Sequence, residues 1–525
     1  MTGWLSSILA HNSEYAVNYA LSLPMIMLTL FALGILIIDL VLPKQWKRIN
    51  ALTALGGVAF AFAATVKLHL QFLRAEKADV VINMFPGFID SLGHPAMALD
   101  RFAIYFYYLF LLGTAVAILI SVRYLEIERE DHGEFYALML FSVVGMMCMA
   151  SGYDIVLLFI GLELMAISTY VLVGFLRRDQ RSNEAALKYL LLGAFSSGIF
   201  AYGLSLLYGL SGSTNLGVIA EKLQDRFAQN PHDPIIIVAL LTTATGLLFK
   251  IAAVPFHQWA PDAYEGAPTS ITGFMSVAVK AAGWALLLRV FLFGFYPIRS
   301  LYMPLLVFVS LATLTGGNLA AITQTNLKRL LAYSSIAHVG YMLLGLVASD
   351  NIRNQTGIRG ILFYLLVYAF MNLGAFAVIT SLRRRNIIGD EIDDIAGLYF
   401  KRPVEAVLML FFLLSLAGIP PLAGFWGKYF IFLSLMETGH YVLASVGVLY
   451  AVVALYYYMR VANAMFMKQA ADAEPIHLTP GMTTALAVTA LGTIGIGVFP
   501  NAFMQFVNWS LSAAGNVTSI AQAVR

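Results

Sequence analysis

Seven ionisable residues stand inside or beside the most apolar stretches of this chain, and their types suit proton transfer. Glu163 lies in LLFIGLELMAIS, Lys188 in NEAALKYLLLGAF, His338 in LAYSSIAHVGYMLLG and Lys428 in AGFWGKYFIF. Lys250, His257 and Lys280 share the stretch 240–288, LLTTATGLLFKIAAVPFHQWAPDAYEGAPTSITGFMSVAVKAAGWALLL. Amines, imidazoles and carboxylates all take up and release protons, and desolvation disfavours the charged form of each. Set in a row, they form a relay whose titrations belong to the set rather than to one residue. Ser334, Ser335, Tyr341, Thr313, Asn318 and Asn372 offer polar groups that can carry water between them. Moving one proton against 100 mV costs about 2.3 kcal/mol, so such a relay needs a driver. The sequence shows no P-loop, no dinucleotide-binding glycine fingerprint and no evident metal cluster to supply one. The driver is then another subunit or an ion gradient.

Plainer readings compete for individual members. A lysine or aspartate at the centre of a membrane helix costs roughly 2.5–3.5 kcal/mol to insert, so the set as a whole is not accidental. Yet Lys188 is one turn from Glu184 and can pair with it in ordinary helix support. Lys428 can reach an interface along its stem if its helix is short. His257 can simply be wet, and His338 can be a satisfied interior histidine. Lys280 and Glu163, with many apolar residues on both sides, have the weakest plain readings. Asp39 and Lys67 read as interfacial, and Arg289 and Arg460 as charges that pack helices.

The elements that position these groups are membrane spans. Of the 525 residues, 60% are hydrophobic and only 12% charged, with mean hydropathy +0.79. That is half the charge of a typical soluble domain, roughly 25%. The net charge of +3 says little about partners. The single cysteine, Cys148, forms no internal disulfide and cannot by itself hold a cysteine-ligated iron–sulfur cluster. It reads as a small apolar filler. The first residues, MTGWLSSILAHNSEYAV, lack the basic start and short apolar core of a cleavable signal peptide.

A span needs about 20 mostly apolar residues, and on that measure the chain holds about fourteen. They fall near 17–42, 51–73, 102–122, 135–150, 154–176, 185–211, 234–256, 268–293, 300–323, 329–349, 357–382, 403–436, 440–467 and 481–511. The expected fold is an all-α polytopic membrane protein. Pro255 breaks the seventh span and Gly418-Ile419-Pro420-Pro421 the twelfth. Broken helices at membrane depth are tolerated where they line a cavity or pack inside protein. The breaks are five spans apart, which predicts two inverted five-helix repeats, 135–293 and 300–467. Residues 1–134 then form an N-terminal unit of three helices, and 468–525 carry the last helix. Basic residues alternate between loops, roughly sixteen against nine, which predicts both termini on the outer side.

Three stretches carry a family resemblance: LLFKIAAVPFHQWAPDAYEGAPT, LKRLLAYSSIAHVGYMLLG and SLAGIPPLAGFWGKYFIF. The chain resembles the antiporter-like subunits of respiratory complex I, which are in turn similar to the large subunits of multisubunit sodium/proton antiporters. The likeness covers roughly the fourth to thirteenth spans; the region before Arg101 carries none. Lys428 at the second break and LFIGLELMAISTYVLV resemble the N branch of that family, the counterpart of mitochondrial subunit 2. The L branch carries a long lateral helix after the fourteenth span, and here the chain ends soon after it.

The resemblance implies roles. Glu163 looks like the fifth-helix glutamate with Lys188 as its lysine partner. Lys250 looks like the broken-helix lysine on the input side, and His257 like the histidine of that break. Lys280 looks like the central relay lysine, His338 a connecting group, and Lys428 the terminal residue toward the outlet. The resemblance further implies a proton-translocating subunit in a bacterial inner membrane. This chain would hold no cofactor; NADH, FMN, iron–sulfur clusters and quinone would belong to partner subunits. Its own partners would be other complex I membrane subunits, including antiporter-like ones, lipid and protons, and no nucleic acid. Two rivals stand: a sodium/proton antiporter subunit, and a structural module whose charges only hold helices together.

Overall fold

The computed structural model describes residues 2–77, 84–90, 92–349, 355–383, 389–469 and 478–512. Arg353, Arg384, Arg385 and Arg525, which enter the basic-residue comparison, lie outside them. Twelve helices among the described residues are long and apolar enough to cross a membrane. Two shorter apolar helices, Pro234–Lys250 and Pro403–Ala417, are the first halves of the interrupted segments. Their second halves are Trp259–Gly266 and Ala423–Glu437. Cis peptides precede Pro255 and Pro421.

Helix starts follow capping chemistry. Asp154 accepts from the Val156 and Leu157 amides, and Asn326 from those of Lys328 and Arg329. Such caps satisfy amides that have no partner within the helix. The second break is terminated by Gly418 at φ +90°, a left-handed conformation that glycine adopts without penalty. A Cβ there would also meet the Lys428 stem at 2.9 Å. Across the gap the Gly424 amide donates to Ser415 Oγ at 3.0 Å.

Three helices form the interior. Thr269–Gly294, Leu327–Val347 and Thr356–Leu382 are each 94% buried over their most apolar stretch, whereas Asn18–Val41 and Tyr441–Met467 are 33% buried. Polar residues on the inner helices therefore face protein, not lipid. Thr269–Gly294 is not a uniform α-helix: Met275–Val279 winds as a π turn immediately before Lys280. Arg289 near its far end is fully buried, donating two hydrogen bonds to Asp100 at 2.6 and 2.7 Å and one to Ala150 O at 2.8 Å.

The structure departs from the sequence reading in three places. The fold is helical but not purely so: Met84–Ile89 and Pro95–Asp100 pair as an antiparallel hairpin between the second and third spans. Leu216–Gln229, in a predicted loop, is an amphipathic helix. The stretch 481–511 is two helices, Pro480–Val498 and Pro500–Leu511, because Pro500 has no amide to continue the first.

Candidate functional site

Lys250 closes the first half of the first broken helix. Beyond it the backbone turns through Ala252 at φ +59°. The freed polar groups find partners: Trp259 Nε1 donates to Phe249 O at 2.9 Å, and the Val254 amide to Thr313 Oγ1 at 3.0 Å. Buried backbone needs such partners where it leaves the helix. The Lys250 ammonium is 3% exposed, lies 3.4 Å from the Tyr170 hydroxyl and faces the Tyr170 and Phe249 rings at 5.6 and 5.8 Å. Aromatic faces hold a desolvated cation without neutralising it. Glu163 sits seven residues before Tyr170, two turns along the same helix face. One of its carboxylate oxygens is buried without a hydrogen-bond partner, and its charge acts on Lys250.

Lys188 does not take the place expected of it. It is exposed, and its ammonium pairs with Glu184 at 2.7 Å and Asp262 at 2.9 Å. The reason is packing: Lys188 faces out of the helix Gln180–Ser211, which is only 39% buried over its most apolar stretch. His257 is half-buried within the break, with Nδ1 lacking a hydrogen-bond partner.

Deeper in, side chains connect in a row. The Lys280 ammonium donates to Ser335 Oγ and lies 5.9 Å from the Tyr264 ring. One turn beyond Ser335 stands His338, 2% exposed. Its Nδ1 is 2.5 Å from the Tyr364 hydroxyl and its Nε2 3.2 Å from the Tyr458 hydroxyl. Tyr458 also meets Ser334 Oγ. Both Lys280 and Lys428 act electrostatically on His338. Lys428, 4% exposed, donates to Ala417 O at 2.7 Å and faces the Tyr341 ring at 4.9 Å. Its carbonyl partner is the last residue of the helix before the break, so the interruption itself binds the ammonium. Tyr457 reaches Asn318, and Asn372 donates to Ser276.

Several contributors escaped the sequence reading. Tyr170, Tyr264, Tyr364 and Tyr458 provide most of the aromatic and hydroxyl contacts above. Lys328, which enters the loop-charge comparison as one of the sixteen, is 3% exposed and donates to Ala267 O at 2.9 Å. Beside it Arg329 binds Asp262 at 2.7 Å and Glu265 at 2.8 Å, and Arg181 binds Glu265 at 2.8 Å and Asp390 at 3.3 Å. A signal was present: two cations in the first turn of a helix oppose its dipole and call for carboxylates nearby. Among the described residues no group of His, Cys, Asp and Glu is arranged to hold a metal ion.

This architecture defines a multi-pass membrane protein with ionisable side chains threaded through its interior. A family model described as NADH:quinone oxidoreductase/Mrp antiporter, TM, matches residues 152–454. A Koribacter versatilis protein named NADH-quinone oxidoreductase subunit N 1 is 68% identical over 503 residues, 96% of this chain and 97% of its own length. A chain in the structure of Thermus thermophilus respiratory complex I with bound aureothin is 31% identical, with TM-score 0.74, covering 92% of this chain and 98% of that one. A chain of the Mrp complex from Dietzia sp. DQ12-45-1b shares the fold, at TM-score 0.77 and 21% identity over 96% of this chain and 99% of that one. The chain belongs to the NADH:quinone oxidoreductase/Mrp antiporter transmembrane family, in its branch of complex I N subunits.

Proposed function

We propose that this chain translocates protons across a bacterial inner membrane as part of NADH-quinone oxidoreductase, alongside the other membrane subunits of that complex. Electron transfer from NADH to quinone, with its FMN, iron–sulfur clusters and quinone, belongs to partner subunits; this chain contributes the proton path. The observation that carries the reading is the interior row of buried side chains Lys280, Ser335, His338, Tyr458, Tyr364, Tyr341 and Lys428. A structural module would satisfy its charges with carboxylates, as Arg289 does with Asp100. Lys280 and Lys428 instead contact hydroxyls, a carbonyl and rings, so either ammonium can give up its proton without orphaning an ion-pair partner.

In this reading Glu163 and Lys250 respond first. A charge delivered near Glu163 weakens its hold on Lys250, which releases its proton inward. Protonated Lys280 and Lys428 both repel charge on His338, so loading one end of the row favours emptying the other. The side chains need only rotate between hydroxyl partners. Each interrupted segment counts as one crossing in a fourteen-span layout, with 135–293 and 300–467 as inverted repeats and both termini on the outer side. The test is NADH-driven proton uptake in inverted membrane vesicles, wild type against Lys250→Ala, with and without sodium, normalised to assembled complex. Uptake should fall regardless of sodium, with NADH oxidation slowed in step. Unchanged uptake with loss of sodium exchange would overturn the reading in favour of an antiporter.

A further inference from the structure

Lys328 is a buried cation that the row from Lys280 to Lys428 does not use. It stands in the first turn of Leu327–Val347, at the face carrying Arg177, Arg178 and Arg181. Next to it lies an ion cluster graded in exposure. The side chain of Arg181 is 39% exposed, that of Glu265 25% and that of Asp390 3%, while Lys328 itself is 3% exposed. The cluster is thus open to water at one end and sealed at the other. Asp390 and Glu265 act electrostatically on Lys328, and the Leu327 amide donates to Asp390 O at 2.6 Å. The ammonium has three donors, and the acceptor it reaches among the described residues is Ala267 O. Among the described residues no carboxylate locks it within ion-pair distance.

Its inward connections converge on Lys280. Ser335, the Lys280 partner, lies seven residues further along the same helix face, about 10 Å of rise. Ala267 follows Tyr264 by three residues, and the Tyr264 ring faces Lys280. Two independent segments thus run from Lys328 to the central lysine.

We propose that Lys328 is a proton-intake residue, passing protons from the Arg181–Glu265–Asp390 cluster to Lys280 by way of Ser335. This rests on the relay reading above. An N–H bond at Lys328 breaks as one forms at the Lys280 amine, and Lys328 is reprotonated from the water-exposed cluster. No electrons move; the lysine stem covers part of the rise, and a short chain of waters would carry the proton over the rest to Ser335. The ion pairs hold the outer opening in shape, and Lys328 is its inner end.

The test uses the intact complex in inverted vesicles. Proton uptake and NADH:quinone turnover are measured per assembled complex in ordinary and deuterated water, for Lys328→Met, Lys328→Arg and Lys280→Ala. Arginine keeps the charge and can still donate to Ala267 O, but it does not release a proton near neutrality. Lys328→Met should lower turnover about a hundredfold, the low side of what losing a proton-transfer group costs, with a larger solvent isotope effect. Lys328→Arg should resemble it. Normal turnover in Lys328→Met overturns the inference. So does restoration by arginine, or a fall with the isotope effect unchanged; each leaves Lys328 a fixed structural charge. Normal pumping in Lys280→Ala would instead overturn the relay reading itself.

Discussion

Tyr458→Phe separates a connected row from a merely well-packed interior. The substitution removes one hydroxyl and hardly alters volume. That hydroxyl meets both Ser334 Oγ and His338 Nε2, while His338 keeps Tyr364 on its other nitrogen. Leaving a buried polar group unsatisfied costs about 1–3 kcal/mol, so the complex should assemble with modestly reduced stability. The control is Tyr105→Phe. Tyr105 is equally buried, and its hydroxyl donates to Leu362 O, a backbone carbonyl with no proton to pass on. Both variants forfeit a buried hydroxyl, so both should lose similar stability. Of the two, only Tyr458→Phe removes a hydroxyl held by an ionisable side chain, His338, and its proton uptake per assembled complex should fall about a hundredfold or more. Tyr105→Phe should stay near wild type. Equal uptake in the two variants, or losses that track assembly in both, would refute the idea that these hydroxyls conduct.

Two further outcomes follow from the geometry. Asp100→Asn leaves the fully buried Arg289 without its counter-charge; this should destabilise the chain by about 3–5 kcal/mol, read as loss of assembled complex and a lower thermal midpoint. Lys188→Ala breaks only exposed pairs with Glu184 and Asp262; stability should change by about 0–1 kcal/mol and proton uptake should persist, whereas loss of uptake would restore Lys188 to the path.

Much of the fold was legible because lipid imposes a length and a composition on every span. Pro255 and the Gly418–Pro421 run announced the breaks, since each removes what a helix requires. The burial of Lys250, Lys280, His338 and Lys428 followed from apolar residues on both sides. Lys188 has a similar local sequence, but its exposure depends on which neighbour covers that helix face, and one-dimensional hydropathy does not hold that information. Lys328 failed in the opposite sense: near a span end it looked wet, yet tertiary packing buries it and gives it Ala267 O as an acceptor. The hairpin at Met84–Ile89 and Pro95–Asp100 is short and rich in glycine and proline around its turn, so its pairing has little period to detect. Tyr341 reads as a polar group, but Tyr170, Tyr364 and Tyr458, whose hydroxyls make connections, were not singled out, because a tyrosine inside a span looks apolar in sequence.

The π turn at Met275–Val279 acts as a phase shifter. An α-helix advances about 100° per residue, and one wide turn offsets everything after it against everything before. Ahead of the turn Gly273 packs against Phe376; after it Lys280 is directed at Ser335 on a different helix. A uniform α-helix could serve one of these neighbours but would rotate away from the other. Rewinding 275–279 as plain α-helix with no residue removed would therefore keep every side chain needed for the row yet turn Lys280 off it by about 100°. The site depends on a count of residues as much as on their identities.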